Sequence, residues 1–309
     1  MKKTNLLFCV VLLIFGCDSE EDKKGRFLLK GNEKMEENDA KGALEFYGEA
    51  IHIDSLYKDA YYNKAMAHLE LNQLQETILD LSKAIQIDAD YEEAYFQRGL
   101  AYLDNGEFYK AREDADVLVK NFPNNWQSFF LMGLTQEKLK GYEDALKSFA
   151  KARELNPENS DLLVNEATLL YYLKFYDTAL DLIQKAEELN PMEPNIYNLR
   201  SMIFFDQQKV SEALSEVNEA IEINSRQPYF YNNKGLYLLF LGELEEGLDL
   251  INQSIKLDPK NPYALRNKGI YYVLKGDKTS ALSYLQDLST NYPDMDLVNE
   301  YYLKAQDLE

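Results

Sequence analysis

The sequence predicts an all-α chain arranged as a solenoid, with eight stacked units of 34 residues closed by a C-terminal helix. Three observations lead there. Counted from Lys24, eight blocks run without insertion or deletion to Met295, and positions 8 and 20 of every block hold a small residue. All eight prolines fall at block boundaries, where a helix can begin but not continue. Within a block, apolar residues at positions 20, 24 and 27 share one face of a helix.

The chain opens with MKKTNLLFCVVLLIFGC, two lysines followed by an apolar run from Leu6 to Phe15, half of what crossing a bilayer requires. Its end, Ile14-Phe15-Gly16-Cys17, resembles the lipobox of bacterial lipoproteins, with residues 1–16 as signal peptide. That resemblance implies lipidation of Cys17 and a firm anchor of acyl chains. Cys9 would leave with the signal. Residues 17–23 (CDSEEDK) are polar and acidic, and read as a tether of about 25 Å at full extension. They hold the folded body close to its membrane.

The repeats follow. Position 8 is Gly31, Ala65, Gly99, Gly133, Ala167, Ser201, Gly235 and Gly269, and position 20 is Ala43, Thr77, Ala111, Ala145, Ala179, Ala213, Gly247 and Ala281. This pattern resembles the tetratricopeptide repeat, which implies that each block is two antiparallel helices meeting at those small residues. Position 4 (Phe27, Tyr61, Tyr95, Phe129, Leu163, Tyr197, Tyr231, Leu265) is expected to fill the space they leave. Position 24 is mostly large and apolar, from Tyr47 and Leu81 to Ile251 and Leu285, and position 27 is alanine in five blocks. Gly106, Gly141, Gly242 and Gly276 mark the turn between paired helices. Gly247, inside a second helix, departs from the pattern, as do Leu118 and Leu288 at position 27. Residues 296–309, with Leu297, Tyr301, Ala305 and Leu308 on one stripe, read as a helix capping the last apolar face.

Composition excludes several kinds of chemistry. Fifty-three acids against 33 bases give a net charge of −20, so binding of nucleic acid is not expected. Two histidines and two cysteines are too few for a zinc site or a disulfide framework, so neither metal nor cofactor is expected. No HExxH, GxSxG, Walker-type or GxGxxG motif occurs. His68, on a first helix, reads as a packed, hydrogen-bonded histidine, and the many carboxylates as solvated helix faces. The sequence therefore predicts no enzyme and no small-molecule substrate.

What remains is binding. The resemblance implies a right-handed superhelix whose inner groove is lined by positions 2, 5, 6, 9, 12 and 13 of the first helices. An aromatic and apolar half, Tyr62, Phe96, Leu100, Phe130 and Leu134, would dock a partner's apolar side chains. A polar half, with Asn63, Gln97, Asn165, Asn198, Asn232, Asn233, Arg266 and Asn267, would hydrogen-bond its backbone. The lysine and asparagine pattern of modules that clamp chaperone C-termini is missing. Together with the lipobox, these residues predict a lipid-anchored, non-enzymatic adaptor of the bacterial envelope, with the outer membrane favoured over the inner, that holds a segment of an envelope protein. An immunity or regulatory protein neutralising one secreted toxin is the alternative.

Overall fold

A computed structural model describes residues 19–309, and all regular structure among them is helical. The signal peptide and Cys17 lie outside the described residues. The first helices of the eight blocks are α1 (Glu20–Glu36), α3 (Lys58–Glu70), α5 (Glu92–Asp104), α7 (Trp126–Lys138), α9 (Ser160–Tyr172), α11 (Pro194–Asp206), α13 (Pro228–Leu241) and α15 (Pro262–Lys275). The second helices are α2 (Ala40–Ile53), α4 (Leu74–Ile87), α6 (Phe108–Asn121), α8 (Tyr142–Leu155), α10 (Tyr176–Leu189), α12 (Val210–Ile223), α14 (Leu244–Leu257) and α16 (Lys278–Asn291), and α17 (Val298–Gln306) follows. The chain is thus an α-solenoid of helix-turn-helix repeats. It divides into two compact units, one ending at Gly141 with α1–α7 and one from Tyr142 with α8–α17.

The start differs from expectation. Residues 19–23 are not an unstructured tether, because α1 begins at Glu20. The Ser19 hydroxyl accepts from the Asp22 amide at 3.1 Å while the Asp22 carboxylate accepts from the Ser19 amide and hydroxyl. This capping box satisfies amide groups that a helix start leaves bare, and the acids of the first turn suit the positive end of the helix dipole. The acidity read as solvation is helix-start chemistry.

Every small residue at positions 8 and 20 is buried. At the glycines, the side chain that uses the space is not the expected one from position 4. A Cβ built on Gly31 would lie 2.3 Å from the Tyr47 ring, one on Gly269 2.6 Å from Leu285, and one on Gly235 2.7 Å from Ile251, all at position 24 of the paired helix. At Gly99 the intruder is Leu131 of the next block, at 2.3 Å. Position 4 is divided: Leu163 joins the core of Ala167 and Ala179 and Tyr61 packs on that of Ala65, as expected, while the hydroxyls of Tyr197 and Tyr231 reach the preceding loop and donate to the carbonyls of Pro191 and Ser225. Asn299 donates to Pro293 in the same way, which makes α17 the first helix of an unfinished ninth repeat.

Gly247 is explained by its partner Gly235. A Cβ on either would meet the other's carbonyl oxygen at 2.8 Å, so α13 and α14 approach until only glycine fits on both sides.

Position 15 carries the helix-to-helix turn in all eight blocks. Asn38, Asn72, Gly106, Lys140, Lys174, Gln208, Gly242 and Gly276 all have φ between 57° and 87°. The expectation that Gly141 makes the turn of block four is corrected: Lys140 holds the left-handed conformation, at φ 63°, and Gly141 follows it. Between blocks, Asp54, Asp88, Asn190, Asn224 and Asp258 at position 31 each accept from the amide two residues on, an Asx turn that holds with or without the proline next to it.

Candidate functional site

In the first unit the predicted groove residues divide. Phe96 is 7% exposed and packs with Ala115, Leu118, Leu131 and Met132 in the core between α5, α6 and α7. Leu100 and Phe130 lean on that same core, and Phe130 also meets Trp126 at 5.9 Å. Gln97 and Leu134 are half-buried. Tyr62 is half-buried and tilts against Tyr91 at 5.3 Å. Asn63 donates its amide to Asn32 Oδ1 at 2.9 Å, tying α3 to α1.

The second unit encloses a cavity of about 490 Å³ on the face of its first helices. Most of its wall comes from positions 2, 5, 6, 9, 12 and 13 of α9, α11, α13 and α15, with Tyr237 at position 10 and Asn261 just before α15, and it includes Asn165, Asn198, Asn232, Asn233 and Arg266. Tyr171, Tyr229, Tyr237 and Tyr263 add aromatic rings, Met202 and Leu236 an aliphatic floor. Asn267 is absent from the wall and fully buried.

The asparagines first hold the stack together. Asn233 Nδ2 donates to Asn198 Oδ1 at 2.9 Å, and Asn267 Nδ2 to Asn232 Oδ1 at 2.8 Å, so a position-6 amide bridges to position 5 of the preceding block. Tyr229 donates to Asn195 Oδ1 at 2.8 Å in the same direction. Asn165 donates to the Asp161 carbonyl of its own helix. Buried amides must be paired somewhere, and here much of that pairing capacity is spent on the scaffold, with Asn198 Nδ2 also donating to Met202 Sδ at 3.5 Å. Asn267 is fully committed to it, which corrects its assignment to the groove.

Arg266 is the centre of charge in the cavity wall. It is 6% exposed, and its Nε donates to Asn267 Oδ1 at 2.9 Å and its Nη1 to the carbonyl oxygen of Asp296 at 3.0 Å. No carboxylate lies within ion-pair distance of it among the described residues, and burial pulls the guanidinium below its ordinary value. At the far rim Lys174 contacts Asp206 at 3.1 Å and Asp296 at 3.4 Å, while Tyr176 donates to Asp206 at 2.7 Å. Burial works against the charge on Lys174, but those carboxylates hold its ammonium above the ordinary lysine value. Residues 294–297, which no motif or period points to, complete the wall.

Elsewhere the carboxylates are not all solvated faces. Asp114 is 3% exposed and takes both Nε and Nη2 of Arg98, at 2.9 and 2.6 Å. Burial raises its carboxyl above the usual range, with Arg98 opposing that rise. Asp80 pairs with Lys64, Glu166 with Arg153, and Glu216 with Arg200 in the same half-hidden manner. The signal was legible as a base at position 7 and an acid at position 23 of blocks two, three and six. His68 sits between Gln73 Oε1, 2.6 Å from Nδ1, and Asp80, 3.5 Å from Nε2, a hydrogen-bonded histidine of the helix pair.

The sequence pattern of the tetratricopeptide repeat matches residues 93–162, 164–228 and 232–296, about two thirds of the chain, and a second pattern for the same repeat matches 66–106. The chain belongs to the tetratricopeptide repeat family. Proteins of this family generally mediate protein–protein interactions. No curated protein matches the chain. Among solved structures it is similar to PilF of Pseudomonas aeruginosa (19% identity, TM-score 0.56, covering 71% of this chain and 97% of that one). It is also similar to PilW, described as a widely conserved type IV pilus biogenesis factor (14%, 0.55, 68% and 98%), and to MamA of Desulfovibrio magneticus RS-1 (17%, 0.51, 56% and 98%). At these identities the likeness is one of fold.

Proposed function

We propose that this tetratricopeptide repeat chain is a lipid-anchored, non-enzymatic adaptor of the bacterial cell envelope that holds a segment of a partner protein against the first-helix face of its second unit. The observation that carries it is the cavity. Side chains of four successive first helices converge on a space that the protein leaves unfilled, with aromatic rings, aliphatic floor and hydrogen-bonding groups side by side. Such a mixture suits an extended peptide, whose backbone needs donors and acceptors while its side chains need apolar cover. Half-used amides at Asn232 and Asn233 retain capacity for that backbone, and Asn198, whose Nδ2 donates only to the weak acceptor Met202 Sδ, can exchange that contact for a carbonyl.

The anchor rests on the lipobox at Ile14–Cys17. No helix among the described residues is long and apolar enough to cross a membrane. PilW, a pilus biogenesis factor of like fold, is an example of the assembly role that such a stack can serve.

Two measurements test this proposal. Cells fed an alkynyl palmitate analogue are expected to label the protein, and Cys17→Ser to lose both the label and membrane fractionation; a labelled or membrane-bound Cys17→Ser variant would remove the anchor. Affinity capture with Tyr263→Ala combined with Met202→Ala, two cavity residues outside the main core, is expected to lose the partner that the wild type retains. An unchanged partner set would remove the cavity from the function.

A further inference from the structure

Residues 294–297 do more than connect α16 to α17. From the corner after Pro293 the chain crosses in front of the first helices, where Asp294, Met295, Asp296 and Leu297 all border the cavity. Leu297 packs against the core beneath α17, and Asp296 makes the two attachments that tie the crossing to the first helices. Its backbone carbonyl accepts from Arg266 at 3.0 Å, and its carboxylate meets Lys174, 122 residues earlier, at 3.4 Å. Lys174 belongs to the turn of block five and Arg266 to the first helix of block eight, so one residue spans the mouth of the cavity.

The attachments are slight. Asp294 and Asp296 are exposed, Met295 and Leu297 half-buried, and the Lys174–Asp296 pair is solvent-accessible on both sides. Leu297 is held at φ 67°, ψ −13°, a left-handed conformation that a residue with a Cβ adopts under strain. By contrast Val298, Tyr301 and Ala305 of α17 are buried. Leu297 packs on the core and accepts from the Tyr301 amide, so the crossing lifts by hinging at Leu297 while α17 stays docked. Arg266 cannot then be left bare. A guanidinium this deeply buried needs acceptors, and its own strap supplies one from a backbone carbonyl.

We propose that residues 294–297 are a built-in strap across the mouth of the cavity that holds the attachment points a partner would use, and that the partner displaces it by presenting the same chemistry: an extended segment with an acidic residue between two apolar ones, as in Met295-Asp296-Leu297. Its backbone carbonyl takes over Arg266, its carboxylate takes over Lys174, and its apolar side chains settle toward Met202 and Leu236. This rests on the cavity being the partner site, and deepens that proposal by naming what the site accepts. A strap that is closed most of the time lowers apparent affinity by the fraction of time it is open. Partner binding is then competition rather than simple docking.

The probe is a fluorescent synthetic peptide copying residues 291–299 (NYPDMDLVN), titrated against the full-length lipid-free chain. Asp296→Ala removes one attachment at an exposed position, and is expected to bind the peptide about threefold more tightly than wild type. In that background Arg266→Met, or a peptide with its sixth residue changed from Asp to Asn, is expected to weaken binding by about tenfold or more. Equal binding of wild type and Asp296→Ala, or indifference of the peptide to its Asp, overturns the strap. Because Arg266→Met alters a buried residue, hydrogen exchange supplies an independent arm. Amides 294–297 are expected to exchange at least tenfold faster than those of α17, and faster still in Asp296→Ala. Exchange of strap and α17 at one common rate also overturns it. If the strap fails while the Tyr263→Ala, Met202→Ala variant still loses its captured partner, the adaptor function stands; if that variant keeps its partner, the site itself falls.

Discussion

Gly235 and Gly247 show what one missing methyl decides. Each faces the other's carbonyl oxygen at a distance no Cβ tolerates, so Gly235→Ala or Gly247→Ala must push α13 from α14. Each is expected to cost about 1–3 kcal/mol, read as a lower urea midpoint; an unchanged midpoint would refute the close approach. Arg98 and Asp114 are the polar counterpart. Arg98→Met leaves a buried carboxylate alone and is expected to cost about 3–5 kcal/mol, most of it recovered by adding Asp114→Leu. Tyr47 gives a pH dependence. Burial pushes its phenol up to about 12, and it donates to Asn32 at 2.9 Å. Raised above the unfolded value of about 10, it contributes stability that is complete below that pH and lost as pH rises toward 12. Tyr47→Phe is expected to flatten the alkaline decline in a series of unfolding curves. The small residues were visible in the sequence because they recur. The packing of Phe96 was less legible, because a position-5 aromatic reads the same whether it stands free in a groove or packs, as here, with Leu131 and Met132.

At the scale of the helices, the period told where each begins, but not what closes it. Prolines locate block boundaries, yet the Asx turns at position 31 do the holding, and they persist where Ser55, Ala89 and Ser225 replace proline. The turn inside each block shows the same division. Left-handed backbone recurs at position 15 whether the residue is glycine, asparagine, lysine or glutamine, so composition reveals it in only some blocks. Gln208, at φ 63°, bears the cost of its Cβ. Gln208→Gly is expected to raise stability by about 0.5–1 kcal/mol in chemical denaturation, against the usual direction for glycine. A loss of that size would mean that the turn is not strained. The first helix was shortened in the sequence reading because Glu20, Glu21 and Asp22 look like a solvated spacer, although next to Ser19 they form a helix start.

For the molecule as a whole, the repeat made the fold legible and left the partner hidden, because a period describes how helices stack and not what they hold. Net charge adds one expectation. A chain at −20 repels an acidic segment at long range, while Lys174 can pair with its carboxylate at contact, as it does with Asp296. Raising salt toward 0.1 M, where the screening length is about 10 Å, is therefore expected to speed association of the acidic peptide. A rate that falls with salt would contradict that partner chemistry. The claim on which the function depends is that the first-helix face of the second unit holds a partner, and photo-crosslinking in living cells tests it most directly. With the anchored protein carrying a photoreactive residue at Tyr263, on the cavity wall, or at Leu79, exposed on a second helix, the expected result is one envelope protein crosslinked through a single short segment at Tyr263 and not at Leu79. The same products from both positions, or none from Tyr263, would contradict it.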